Sequence, residues 1–177
     1  MRIRSTQITK KVSELLEEFN IAAPPVPVRK IARGCGARIV KISDDDDMDG
    51  FLYREKGDIV IGVNKDQAPV RQRFTIAHEL GHLLLHENSA VHIDRGFQVR
   101  LRNGLSAQGV NIDEMEANRF AAELLMPLDF LREDLESKFF DFAGDEGFYE
   151  LSRRYGVSTQ AITIRLNGLG YSPQVEL

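Results

Sequence analysis

The run from Arg73 to His86 constrains this chain more than any other stretch of it. It places H-E-x-x-H (His78, Glu79, His82) in an apolar segment with no proline and one glycine, which reads as a helix buried nearly all round. Successive helical residues turn by about 100°, so His78 and His82 stand one turn apart on one face, with Glu79 to the side. Two imidazoles so placed can grip one metal ion, and Glu79 can face a polarised water and take its proton without being a ligand. The plainer reading is a packed helix with two hydrogen-bonded histidines. Burying His-Glu-His is costly unless something pairs it, and that favours the metal. Gly81 weakens the helix but leaves room for another segment to come close.

A catalytic zinc site uses three protein ligands and keeps one position open. The longer H-E-x-x-H-x-x-G-x-x-H pattern fails, because Leu85 and Asn88 stand where Gly and His are required. His86 lies about 80° from His78 and too far along the helix to close a site with both histidines. His92 stays open as a ligand. A carboxylate from the helix expected after Ile112 is the better candidate, with Glu114, Glu116 and Glu123 in competition. Glu114 is favoured, since Asn118 shares its face one turn on and can orient a metal histidine.

Around this centre the chain divides by pattern. Ile8, Val12, Leu15 and Leu16 mark an amphipathic helix over 5–19, ended by Pro24, Pro25 and Pro27. A short helix near Val28 to Ala32 precedes a strand over 38–42. The acidic run 44–50 lacks the glycine and distal glutamate of a calcium loop and reads as solvated. Residues 51–54 and 58–63 form a hairpin signal directly before the metal helix, which starts near Val70. Its edge is expected to hold an extended peptide by strand addition. The segment 88–111 reads as a long functional loop. Helices follow from Ile112 to Met126 with Asp113 as N-cap, over 128–139, over 146–155, and from Ser158 to Leu169. The expectation is an α+β fold, mainly helical, with a small antiparallel sheet beside the H-E-x-x-H helix. It divides into an N-terminal helix (1–24), a core (25–140) and a C-terminal segment packed on it (141–177).

Composition excludes several classes. The net charge of −4 argues against a broad nucleic-acid-binding surface. One cysteine, Cys35, leaves no internal disulfide and suits a reducing compartment. The start has no apolar core of a signal peptide, and no run approaches the ~18 apolar residues of a membrane span. A cytoplasmic protein with no membrane partner is expected.

The pairing of His78-Glu79-Leu80-Gly81-His82 with Glu114, Ala117-Asn118, Phe120-Ala121-Ala122 and Leu124-Leu125-Met126-Pro127 resembles the ImmA/IrrE family of metallopeptidases (the DUF955 group). The resemblance spans about residues 25 to 170. It implies a zincin-like fold with a thermolysin-like site: His78, His82 and Glu114 on the metal, Glu79 as general base. The ion is Zn2+, with Mn2+ as the alternative. The implied substrate is a protein, a helix-turn-helix (XRE-type) repressor whose cleavage releases genes of stress response, mobile elements or phage defence.

The tail from Leu151 to Leu169 itself reads as a helix-turn-helix, with Gly156 in the turn. Only Arg153, Arg154 and Arg165 supply positive charge there, too little for phosphate contacts, so direct DNA binding is not expected. The competing reading is a DNA-binding or protein-binding regulator with a non-catalytic metal site. No deep specificity pocket is visible in the sequence, so the tail and the 88–111 loop are expected to select the partner by docking. Tyr53, His92 and the arginines of that loop are the candidates for stabilising an oxyanion.

Overall fold

The computed structural model describes residues 3–43, 48–86, 91–94, 108–137 and 145–171, with backbone only at 94, 108–111 and 145. Among the described residues seven helices and four strands follow in the order α1 (Ser5–Glu18), α2 (Val28–Gly34), β1 (Arg38–Ile42), β2 (Gly50–Glu55), β3 (Asp58–Asn64), α3 (Pro69–Leu85), β4 (Val91–Asp94), α4 (Gln108–Leu125), α5 (Leu128–Glu136), α6 (Asp145–Tyr155) and α7 (Thr159–Gly168). The fold is α+β.

The sheet runs β1-β3-β2-β4. Lys56 and Gly57 both have positive φ, as a two-residue I′ hairpin turn requires, and they join β2 to β3. The antiparallel sheet expected from the sequence is in fact mixed, because β1 pairs with the far side of β3 in parallel register. Lys65 N donates to Ile42 O at 2.9 Å and Asn64 Nδ2 to Met48 O at 3.0 Å, which ties the return from β1 around the end of β3. Both edges of the hairpin are therefore covered, one by β1 and the other by β4. Among the described residues the outer strand beyond β2 is β4, taken from the segment read as loop. The acidic residues 44–47 and the arginines at 95, 100 and 102 lie outside the described residues. Asp49 is buried and paired with Arg71.

Pro69 opens α3 at its first turn, where its fixed φ suits the helix and no backbone donor is lost. The helix then buries every residue from Thr75 to His82. It packs most extensively on α4. Gly81 makes that approach possible: a Cβ there would lie 3.1 Å from Ala117 Cα and 3.1 Å from Phe120 Cδ1. Helix α4 starts at Gln108, earlier than read, so Asp113 is inside the helix rather than its cap. No proline interrupts 108–112, so the helical run extends back past the first acidic residue.

One apolar core gathers Ile8, Val12 and Leu15 of α1, Ile76 and Leu80 of α3, Phe120 and Leu124 of α4, and Leu151, Tyr155, Ile162 and Leu166 of α6 and α7. Gly156 takes φ +64 in the α6–α7 turn, and its carbonyl accepts from Arg73 Nε at 2.9 Å. Ser158 caps α7 by accepting from Ala161 N. Asp134 Oδ2 accepts from both Tyr155 Oη and Arg154 Nε at 2.8 Å, which fixes α6 to α5. Among the described residues no helix is long and apolar enough to cross a membrane.

Candidate metal centre

The facing surfaces of α3 and α4 bring His78, His82 and Glu114 together, and His92 joins them from β4. One ligand atom from each of the four lies within 4.8 Å of the others. Glu114 Oε2 is 3.4 Å from His78 Nε2, and Oε1 is 3.6 Å from His82 Nε2. The two Nε2 atoms are 3.1 Å apart. His78 Nδ1 donates to Asn118 Oδ1 at 3.1 Å, since an amide oxygen only accepts. That fixes the tautomer and leaves Nε2 as a lone pair.

A second chain of contacts sets His82. Its Nδ1 lies 3.1 Å from His86 Nδ1, and His86 Nε2 lies 3.2 Å from Glu116 Oε2. A carboxylate accepts, so His86 carries its proton on Nε2 and accepts at Nδ1 from His82. His82 Nε2 is then also a lone pair. Two convergent lone pairs and a carboxylate fit a divalent cation, and each histidine is oriented from behind as metal-bound imidazoles commonly are. Burial pushes His82 down to about 4 against the pull of Glu114, so it is neutral at pH 7, the form a metal needs. Burial also works against ionisation of Glu114, but its histidine neighbours, with His92 Nε2 donating at 2.7 Å, outweigh it and hold the group well below the usual carboxylate range.

Glu79 is fully buried beside the cluster. His92 spans the two acids, with Nδ1 3.1 Å from Glu79 Oε2 and Nε2 2.7 Å from Glu114 Oε1. Burial disfavours its charge, yet the bonds to Glu114 and Glu79 prevail and push it up to about 9. Its ring stacks on that of His82 with centroids 3.8 Å apart. Tyr53 instead donates to Glu55 at 3.1 Å.

The competing carboxylates are engaged elsewhere. Glu116 accepts from Arg4 through both oxygens, the shortest contact being 2.5 Å from Nη2. This pairing, ahead of the burial that opposes it, brings Glu116 down to about 2. Glu123 accepts from Thr9 and Arg119 at 2.8 Å. Arg4 and Glu116 are 112 positions apart, and nothing in the sequence signals their pairing. The signal for β4 was the short alternation Val91-His92-Ile93. It inverts the usual pattern, with the apolar residues exposed and the histidine turned inward.

A cleft of about 640 Å³ opens beside His78 and Glu114. No local stretch of the sequence signals it. Its walls come from α3, α4 and α7, which are remote in sequence.

The sequence matches the family described as Peptidase_M78, IrrE N-terminal-like domain, over residues 34–167. No curated protein matches it. Among solved structures it is similar to a Mycobacterium tuberculosis transcriptional regulator, with a TM-score of 0.61 and 19% identity. That alignment covers 92% of this chain and 46% of the other, so this chain spans less than half of that protein's length. At such identity the likeness speaks to the fold alone.

Proposed function

Because the chain belongs to the M78 peptidase family, with its IrrE N-terminal-like domain, we propose that it is a metal-dependent endopeptidase whose substrate is a helix-turn-helix (XRE-type) repressor. One observation carries this reading: His78, His82 and Glu114 converge with Glu79 buried beside them. His78, His82 and Glu114 would hold the ion, with Zn2+ first and Mn2+ as the alternative. The bound ion supplies Lewis acidity for the scissile carbonyl and the attacking water. Glu79 accepts the proton of that water and passes it to the leaving amine. His92, set between Glu79 and Glu114, would serve as a donor for the oxyanion by releasing one of these two bonds. The outer edge of β4 offers main-chain groups to an extended substrate, in place of the hairpin edge.

The repressor as substrate rests on the family resemblance, and a regulator among the structural neighbours is in keeping with it. A cytoplasmic location suits such a target. The rival DNA-binding reading gains little from the tail. Arg154 is tied to Asp134, and Arg165 donates to Met126 O at 3.3 Å. Zinc-loaded protein should cut the XRE-type repressor encoded nearest to it at a single linker, read by mass spectrometry. An intact repressor removes that partner, and failure to cut any protein or peptide removes the peptidase reading.

A further inference from the structure

The cleft beside the metal centre has a chemistry of its own. Phe74 of α3, Ala122 of α4 and Met126 just after it, and Val157, Ala161 and Ile164 on the α7 side line it. Helix α7 is apolar on two opposite faces. Ile162 and Leu166 are fully buried in the core, whereas Ile164, about 200° around from Ile162 by helical geometry, is 64% exposed at the cleft. A helix that served only as scaffold would have no need of that second face. The three arginines that reach the cleft are bound to the protein's own acceptors: Arg71 to Asp49, Arg119 to Glu123, and Arg165 to Met126 O. What remains for a ligand is a mostly apolar wall, with Ser158 and Gln160 at its α7 side, that ends at His78, Glu114 and Asn118.

We propose that this cleft is the specificity pocket, receiving a large uncharged apolar side chain, aromatic or branched, from the residue next to the scissile bond. The proposal rests on the peptidase reading and adds the substrate class to it. Its volume is in the range of ligand-binding clefts, and it stays half open to solvent, as a site for one side chain of a polypeptide must. Selectivity then lies in the segment that was expected to dock at a distance. Because α7 also buries Ile162 and Leu166, removing the tail would cost the core as well as the pocket, and point variants are the cleaner probe.

The test uses metal-chelating peptide hydroxamates, one bearing a benzyl group next to the hydroxamate and one a methyl, against the zinc-loaded full chain. The benzyl compound should bind about 10- to 100-fold more tightly, as burial of an aromatic side chain predicts. Ala161→Trp, which fills the pocket, and Ile164→Asp, at an exposed position where folding is not at risk, should each bring that ratio down about 10-fold. Acetohydroxamate affinity checks that the metal is still held. Equal binding of benzyl and methyl compounds by the unaltered protein overturns the pocket, as does an unchanged ratio in both variants. A peptide library separates the two readings. Cleavage with no apolar preference on either side of the cut sinks the pocket alone. A normal benzyl-to-methyl ratio with no cleavage of any peptide or repressor sinks the peptidase and leaves the pocket.

Discussion

Helices α3 and α4 carry two clusters that meet the same loose demand for a metal site. The first is His78, His82, His92 and Glu114, and the second, one turn on, is His86, Asp113 and Glu116. Their ligand types hardly differ, but their company does. In the first, His78 and His82 point two lone pairs at a carboxylate, and each of these two is braced by a neutral acceptor behind it. In the second, the guanidinium of Arg4 already spans both oxygens of Glu116, and Asp113 is half exposed. The guanidinium of Arg4 keeps its charge at any working pH and so holds Glu116, whereas the imidazole of His92 beside Glu114 can release its proton to make way for an ion from solution. Residue types at suitable distances nominate a site; the cations already beside them decide between nominees.

The sharpest way to break this comparison is to remove one acid from each cluster. Glu114→Ala should lose essentially all bound zinc in metal analysis, while Glu116→Ala keeps close to one equivalent. The reverse result would exchange the roles of the two clusters. Next in size is Glu79→Gln, which should keep fold and zinc but lose about 100- to 10,000-fold in cleavage, because an amide cannot accept the water's proton. Near-normal turnover would take Glu79 out of the mechanism. His86→Ala tests the link between the clusters. It leaves His82 Nδ1 without its acceptor, so zinc affinity should fall about 10- to 100-fold in a chelator competition, with the fold intact. Unchanged affinity would mean that His82 needs no brace.

Much of the centre was legible from the sequence because its signals are local. The H-E-x-x-H spacing on an apolar helix announces α3, and Asn118 one turn after Glu114 favours that acid among three; in space Asn118 lies against His78. The hairpin was legible for the same reason, its Lys56-Gly57 turn being written into two residues. What stayed hidden depends on distant pairings. No periodicity relates Arg4 to Glu116, β1 to the far edge of β3, or Ile164 to Phe74 across the cleft. In β4 a local signal existed but pointed the wrong way, since its apolar residues face solvent and His92 faces the acids.

The smallest effect falls on Arg4, and it tests the contrast most directly. Arg4 donates to both oxygens of Glu116 and, through Nη2, to Leu85 O at 3.1 Å, so it also caps the end of α3. Its side chain is 45% exposed while that of Glu116 is 2% exposed, so water screens one partner and not the other. Arg4→Met keeps the backbone donor to Glu116 at 2.8 Å but removes the charge. Stability should fall by only about 1–2 kcal/mol, read as a lower urea midpoint at unchanged slope. Zinc at the first cluster should be retained, since two residues, His86 and Glu116, stand between Arg4 and His82. The second cluster should change in kind. With Glu116 no longer neutralised, His86, Asp113 and Glu116 become free to share an ion, and titration with excess zinc should reveal a second, weaker equivalent. One equivalent in the variant, as in the unaltered protein, would mean that something other than the Arg4 guanidinium keeps the two clusters apart.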